Sequence, residues 1–295
     1  MTESLKSLLL SYNNCFQCIQ TQPYKDGYPM KKIGLLIAFL LTASILLGAT
    51  DATSILEKQK QLDEEKRIEI LKRDGNRILK KSDDEVDISG ILLEFEMKVY
   101  RKNELRKTYK MRLKTRGTEK SLMEFTHPPR NKGQKMLRVK DSIWLYRPNI
   151  NKIIRVSGRS NAVGSDFSNT DILFVRLDRD YDAKLLGIED YEGTKAYKLE
   201  LLAKSEEVTY AKIIYWIRVK DYLPLKRDFY TISGHKLKTL KLETKSNVFE
   251  GNPDTLTMTN IMEKDKSSVL RYTYLKTNMV FPDKIFRKDS LTQKR

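Results

Sequence analysis

The chain has 295 residues, 40% of them hydrophobic and 32% charged, and 56 Lys plus Arg against 39 Asp plus Glu give a net charge of +17. That length suits one large domain or two small ones. The positive charges alternate with apolar residues, and no helix-turn-helix, zinc-finger or RNA-recognition signature accompanies them, so a solvated basic face is expected and a nucleic-acid partner is not.

Residues 1–29 precede Met30-Lys31-Lys32, which opens an apolar run from Ile33 to Leu47 followed by Gly48-Ala49-Thr50-Asp51-Ala52. A basic start, a short apolar stretch and small residues at its end are the parts of a secretory signal peptide. The run is shorter than the roughly 20 apolar residues of a membrane span. Met30 is therefore expected to be the initiator, residues 1–29 a mis-annotated extension, and residues 30–49 a signal peptide cleaved near Ala49 or Ala52. The competing expectation is an uncleaved anchor. The only two cysteines, Cys15 and Cys18, form a CxxC without a second ligand pair or a βαβ context. No cysteine follows the apolar run, so neither a disulfide nor a lipobox acceptor is expected in a soluble, exported product.

Residues 50–80 are rich in Glu, Lys, Gln and Leu and lack proline. Ile55, Leu62, Ile68, Leu71 and Ile78 fall along one stripe, which predicts an amphipathic helix with a break near Asp74-Gly75. The stripe is sparse, so the helix should lie over something. From Val86 the period becomes two. Leu93, Phe95, Met97 and Val99 alternate with charge, as do Tyr109, Met111 and Leu113, and this alternation marks half-buried strands. Leu122 to Phe125 and Met136 to Val139 continue the series.

The stretch from Asp141 to Asp171 is the most informative. Ile143 to Tyr146 and Ile153 to Val156 flank a Pro148-Asn149 turn, which predicts a hairpin. A polar loop follows, ending in Gly164-Ser165-Asp166-Phe167-Ser168. Ser168 stands three residues before Asp171, an acidic variant of the capping box, which predicts a short apolar helix near 171–177. Beyond it, strands resume at Lys184 to Ile188, Tyr197 to Leu201, Ala211 to Val219, Leu223 to Ile232, Leu240 to Leu242, Leu256 to Met262 and Val269 to Leu275. Ala211 to Val219 is apolar on both faces and should be covered on both. Residues 81–288 are expected to form the β domain, with a loose polar tail over 289–295. Eleven to thirteen strands joined by short turns predict a mainly β, antiparallel sheet curled toward a barrel or sandwich.

Catalytic groups are not evident. His127 precedes two prolines and His235 sits in a Ser-Gly-His turn, far apart and without cysteine company. Ser165 lacks the following glycine of a nucleophile elbow. Asp178, Asp180, Asp182 and Glu189 imitate a calcium loop, but Ala183 stands where that loop needs glycine. An enzyme, a metal site and a cofactor are therefore not expected. The apolar strand residues serve either as ordinary core or, collectively, as the lining of a concave face that one helix cannot fill. Met and aromatic side chains make adaptable linings for an apolar guest.

The sequence resembles the LolA-like outer-membrane lipoprotein-sorting proteins. The resemblance rests on Phe125 with Pro128 and Gly133, on Trp144-Leu145-Tyr146-Arg147-Pro148, Arg155-Val156-Ser157, Gly164-Ser165-Asp166-Phe167-Ser168 and Asp171, and on Lys184 to Gly187, Tyr197-Lys198-Leu199, Ile214 to Ile217 and Tyr222-Leu223-Pro224. It implies a strongly curved, unclosed antiparallel half-barrel, with the N-terminal helix and a short inserted helix as lid over an apolar cavity. It also implies a monomeric periplasmic carrier of lipid or lipoprotein acyl chains. Its partners would be an inner-membrane exporter or a resistance-nodulation-division (RND) transporter, and an outer-membrane acceptor. An envelope sensor or interaction domain is the alternative. On this resemblance the expected lining and lid residues are Phe95, Met97, Met111, Phe125, Met136, Trp144, Tyr146, Phe167, Leu173, Phe174 and Tyr215. Trp144, Tyr146, Pro148, Gly164, Ser165, Asp166, Phe167 and Asp171 form the signature.

Overall fold

A computed structural model describes residues 49–85, 90–173, 175–246, 248 and 251–293. The expected signal peptide before Ala49, Cys15, Cys18 and Phe174 lie outside the described residues. The chain divides into two compact units, residues 1–65 and 66–295. Helix α1 runs over Ala49–Glu85. In its first part Gln59 Nε2 donates to Asp63 Oδ1 at 3.2 Å, an i,i+4 pair of the kind that supports a polar helix. No described helix is long and apolar enough to cross a membrane.

The second unit contains one mainly antiparallel sheet, with thirteen strands among the described residues. In chain order these are β1 (Leu92–Arg101), β2 (Glu104–Arg116), β3 (Lys120–His127), β4 (Lys135–Val139), β5 (Ser142–Arg147), β6 (Lys152–Val156), β7 (Tyr181–Tyr191), β8 (Thr194–Ala203), β9 (Lys212–Arg218), β10 (Pro224–Tyr230), β11 (Lys236–Glu243), β12 (Thr255–Asn260) and β13 (Lys266–Lys276). Each strand pairs with its sequence neighbour except at two places. β1 pairs with β13, and β6 and β7 form the two edges, so the sheet is unclosed.

The period-two pattern sorts side chains as expected. Leu93, Phe95 and Met97 of β1, Met111 and Leu113 of β2, Leu199 and Leu201 of β8 and Tyr215 of β9 are all buried in one core. Strands from both halves thus share an inner face, which requires the sheet to curl. Register shifts between Glu94 and Phe95, Val99 and Tyr100, Lys110 and Met111, and Leu185 and Gly187 supply local bends. The outer face of β9 is covered by charge rather than by a layer. Trp216 lies under Lys226 Nζ at 4.3 Å and Lys198 Nζ at 5.3 Å, and its Nε1 donates to Glu189 Oε1 at 2.5 Å.

Three local expectations change. First, α1 continues without a break through Asp74-Gly75. Gly75 serves close packing instead: a Cβ there would meet the Ala183 carbonyl oxygen at 2.5 Å and the Leu185 nitrogen at 2.8 Å. Beside it, Asn76 Oδ1 accepts from Ala183 N at 2.8 Å, satisfying a backbone donor on the edge strand β7. Second, the helix expected near 171–177 is two single turns, α2 (Asn169–Ile172) and α3 (Leu177–Asp180). Arg176 between them is extended, at φ −70° and ψ 130°, and reaches Asp178 and Asp84, each at 2.7 Å. Third, the segment after Arg287 is anchored. Turns over Asp283–Phe286 and Asp289–Thr292 bury Phe286 and Leu291 against Leu137 and Tyr146 on the outer face. Lys135 Nζ donates to the Leu291 carbonyl at 3.0 Å.

Gly75 gives a prediction whose sign opposes helix propensity. Gly→Ala in a helix interior ordinarily gains about 1 kcal/mol. Here the added methyl meets backbone that cannot rotate away, and overpacking of that kind costs about 1–3 kcal/mol. Gly75→Ala should lower the denaturant midpoint in equilibrium unfolding; an unchanged or raised midpoint contradicts the close packing of α1 on β7.

Candidate functional site

β6 and β7 are consecutive in sequence yet lie at opposite edges of the sheet. The chain between them, residues 157–180, must therefore cross from one edge to the other. It carries the Gly164 to Ser168 signature. Within it the Ala162 nitrogen donates to the Phe167 carbonyl at 2.8 Å, closing a small loop. Val163 at φ 46° and Gly164 at φ 77° reverse the chain there. A β-branched residue at positive φ is strained. The strained turn is tied down directly: Tyr109 Oη donates to the Val163 carbonyl at 3.0 Å and Arg101 Nη2 to the Gly164 carbonyl at 2.8 Å.

Asp166 is the centre of this attachment and is only 2% exposed. Its Oδ2 accepts from Arg101 Nη1 at 2.8 Å and from Ser268 Oγ at 2.6 Å. Its own nitrogen donates to Ser268 Oγ at 3.0 Å, and Lys238 Nζ donates to its carbonyl at 2.7 Å. The loop is thereby fixed to β1, β13 and β11 at once. Phe167, the next residue, is turned inward and buried. The expected capping box is present: Ser168 Oγ accepts from Asp171 N at 3.2 Å, and Asp171 Oδ2 accepts from Ser168 N at 2.7 Å. The same Oδ2 accepts from Tyr210 Oη at 2.8 Å.

Beneath this cap lies a cavity of about 300 Å³. Its floor is the inner face of β9 to β13, with Ile213, Tyr215, Phe229, Leu240, Leu242, Leu256 and Tyr272. Its cover comprises Ser82 and Asp83 of α1, Phe167, Thr170 and Asp171 of the crossing segment, and Val208 to Tyr210. Burial raises the Tyr181, Tyr210 and Tyr272 hydroxyls above their ordinary range, Tyr210 further because the Asp171 carboxylate adjoins it.

Two cations line the cavity: Arg176, which is paired with Asp84 and Asp178, and Arg227. Arg227 of β10 lines the cavity, its guanidinium 4.4 Å from the centre of the Tyr215 ring. Its Nη2 donates to Tyr215 Oη at 2.9 Å, and that oxygen is 3.1 Å from Ser82 Oγ. Its Nε is buried and has no hydrogen-bond partner. At the α1 side, burial pushes the Asp83 carboxyl up to about 6, although Asp178 N donates to it at 2.8 Å and Arg227 and Arg176 act to lower it.

The sequence-expected residues fall into three places. Phe167 and Tyr215 line the cavity. Phe95, Met97, Met111, Phe125, Met136 and Leu173 belong to the main core without lining it. Trp144 and Tyr146 point to the outer face, where Tyr146 is buried with Phe281 and Phe286. Of the signature, Gly164, Ser165, Asp166, Phe167 and Asp171 meet in the cap, while Pro148 begins a turn at the end of β5. Arg227, Phe229 and Leu242 complete the lining. The signal for Arg227 is parity: it shares the face of Phe229, two residues on. Among the described residues no group of three or more His, Cys, Asp or Glu could hold a metal ion.

A family model described as "Uncharacterized protein" matches residues 117–293. A LolA-superfamily protein of Nitrosomonas europaea is similar at 28% identity and a TM-score of 0.66, over 73% of this chain and 98% of that one. An outer-membrane lipoprotein-sorting protein domain of Vibrio parahaemolyticus shares the fold at 24% identity and a TM-score of 0.67, over 75% and 100%. A DUF1329-family protein of Desulfovibrio piger does so at 23% identity and a TM-score of 0.67, over 75% and 99%. No curated protein matches the sequence.

Asp83 sets a pH dependence. A carboxyl raised from 3.8 to about 6 keeps its proton in the folded state after the unfolded chain has lost it. Stability contributed by this group therefore falls as pH rises from about 4 to about 6. Asp84, Asp178, Asp254 and Asp283 are held low, so their contributions change below that window. Asp83→Asn should flatten the stability profile between pH 4 and 6 and raise the melting temperature at pH 7. A variant as pH-sensitive as the parent over that interval contradicts the assignment.

Proposed function

Because the chain belongs to the "Uncharacterized protein" family matched over residues 117–293 and is LolA-like, we propose that it is a periplasmic carrier that shields lipid acyl chains in the cavity over β9 to β13. The observation that carries this reading is a mainly apolar cavity covered by a cap that polar contacts tie to the strands. Burying methylene groups is worth about 0.8 kcal/mol each, so a preformed apolar cavity binds a chain without any catalytic group. The association and ordering costs are set against that gain. Opening the cap breaks its hydrogen bonds and lifts Phe167 from the core while the hydrogen-bonded floor stays intact, which suits loading and release.

The cavity volume stands at the lower end of ligand pockets, which favours one acyl chain over several. In this reading the protein acts as a binder rather than an enzyme. The net charge of +17 suits approach to an anionic membrane face. The partners in this scheme are an inner-membrane exporter or RND-type transporter and an outer-membrane acceptor, served by a monomeric carrier whose export signal begins at Met30.

Mass spectrometry of the protein purified natively from an envelope-containing host tests the reading. Acyl species should co-purify reproducibly with the parent. Leu242→Trp, which fills the chamber from the floor, should lose them while keeping the circular-dichroism spectrum. Acyl species retained equally by Leu242→Trp contradict the cavity as their site. A protein that never carries them, and instead retains a membrane regulator, favours the sensor role.

A further inference from the structure

Arg227 is out of place in a chamber that serves apolar chains alone. Its guanidinium has five N–H donors and no acceptor. Among the described residues it makes one hydrogen bond, from Nη2 to Tyr215, and no carboxylate lies within 4.0 Å of it. The acids nearest in the lining are engaged elsewhere: Asp83 with the Asp178 nitrogen, Asp171 with Ser168 and Tyr210, Asp180 with Arg179. Nε is buried and unpartnered. The Tyr215 ring offers a cation–π contact at 4.4 Å, and Asp83 and Asp171 act on the guanidinium through charge without bonding to it. Tyr215 also fixes the guanidinium's position through its link to Ser82 of α1. A held cation with a free N–H, opening on an apolar chamber, is the complement of an anion that carries an apolar tail.

We propose that Arg227, positioned by Tyr215, is an internal anchor for the anionic head of a single-chain amphiphile bearing a carboxylate or a phosphate monoester. The head takes Nε–H and a second guanidinium N–H. The tail lies along Phe229, Leu240, Leu242 and Leu256. The guest thus enters head first, with its charge inside the protein rather than at the mouth. This rests on the carrier reading of the cavity and narrows it to a ligand class.

Dodecanoate, dodecyl phosphate and dodecanol separate the terms, since they share a tail and differ in the head. Affinities are measured by calorimetry for the wild-type chain, Arg227→Met and, as a polar variant that still reaches Tyr215, Arg227→Gln. Charge-assisted hydrogen bonds predict that the wild type binds at least one anion about 10- to 100-fold tighter than dodecanol. Both variants should lose that preference while still binding dodecanol, and the Gln variant decides the matter if the Met variant does not fold. The tighter anion identifies a carboxylate or a phosphate source. Equal wild-type affinity for all three probes, or a preference that survives in both variants, overturns the anchor and leaves the carrier reading standing. Binding of none of the three overturns both.

Discussion

Asp166 is the constraint on which the rest of the second unit depends. A thirteen-stranded sheet whose edges do not meet leaves its inner face open along a seam, and the chain from β6 to β7 has to cross that seam. One buried carboxylate fixes the crossing to three strands through Arg101, Ser268 and the backbone around it. A carboxylate 2% exposed is strongly destabilising without its partners, so the attachment is close to all-or-none. Beside it, Tyr109 holds the Val163 carbonyl and the Ala162–Phe167 bond closes the left-handed turn, with Phe167 turned inward. What the Gly-Ser-Asp-Phe-Ser run encodes is therefore a clasp: glycine to turn, aspartate to hold, phenylalanine to plug, serine to start the next turn.

The cover has a second, independent support on the α1 side. Gly75 and Asn76 seat the helix on the edge strand β7, and Ser82 meets Tyr215 beneath it. Asp83, Asp84, Arg176 and Asp178 then link α1 to the crossing segment through charge. Floor and cover thus differ in kind. The floor is apolar side chains on a hydrogen-bonded sheet, and separating it would expose core. The cover is held by polar contacts as well as by Phe167, Ile172 and Leu173, which pack into the core. That asymmetry lets a chamber open without the sheet unfolding, and it places Arg227 and Asp83 where the two surfaces meet.

Much of this was legible in the sequence because the signals were local. Alternation over Leu93 to Val99 and Tyr109 to Leu113 marked strands and their inner faces, the Ser168–Asp171 spacing marked a cap, and Pro148-Asn149 marked a hairpin turn. What remained hidden depended on distant strands. Alternation sorts residues to a face but does not say which part of the face is hollow, so Met97 and Phe125 are solid core while Phe229 and Leu242 line the chamber. Trp144 and Tyr146 follow the same alternation to the opposite face, where a C-terminal segment more than a hundred residues away covers them. Gly75 looked like a helix breaker because only its contact with β7 explains it. Arg227 carries no local signal beyond its parity with Phe229, because the groups around it come from distant strands and from α1.

The most direct test of the clasp is amide hydrogen exchange over residues 162–171 in the wild type and in Asp166→Asn. Removing one partner of a buried pair costs about 3–5 kcal/mol, which corresponds to at least about a hundredfold faster opening of the segment. The prediction is slow exchange in the wild type, acceleration of that order confined to the crossing segment in the variant, and unchanged protection in β1, β2 and β3. Fast exchange of residues 162–171 in the wild type, or a uniform rise across the whole sheet in the variant, would contradict a cap held shut by Asp166.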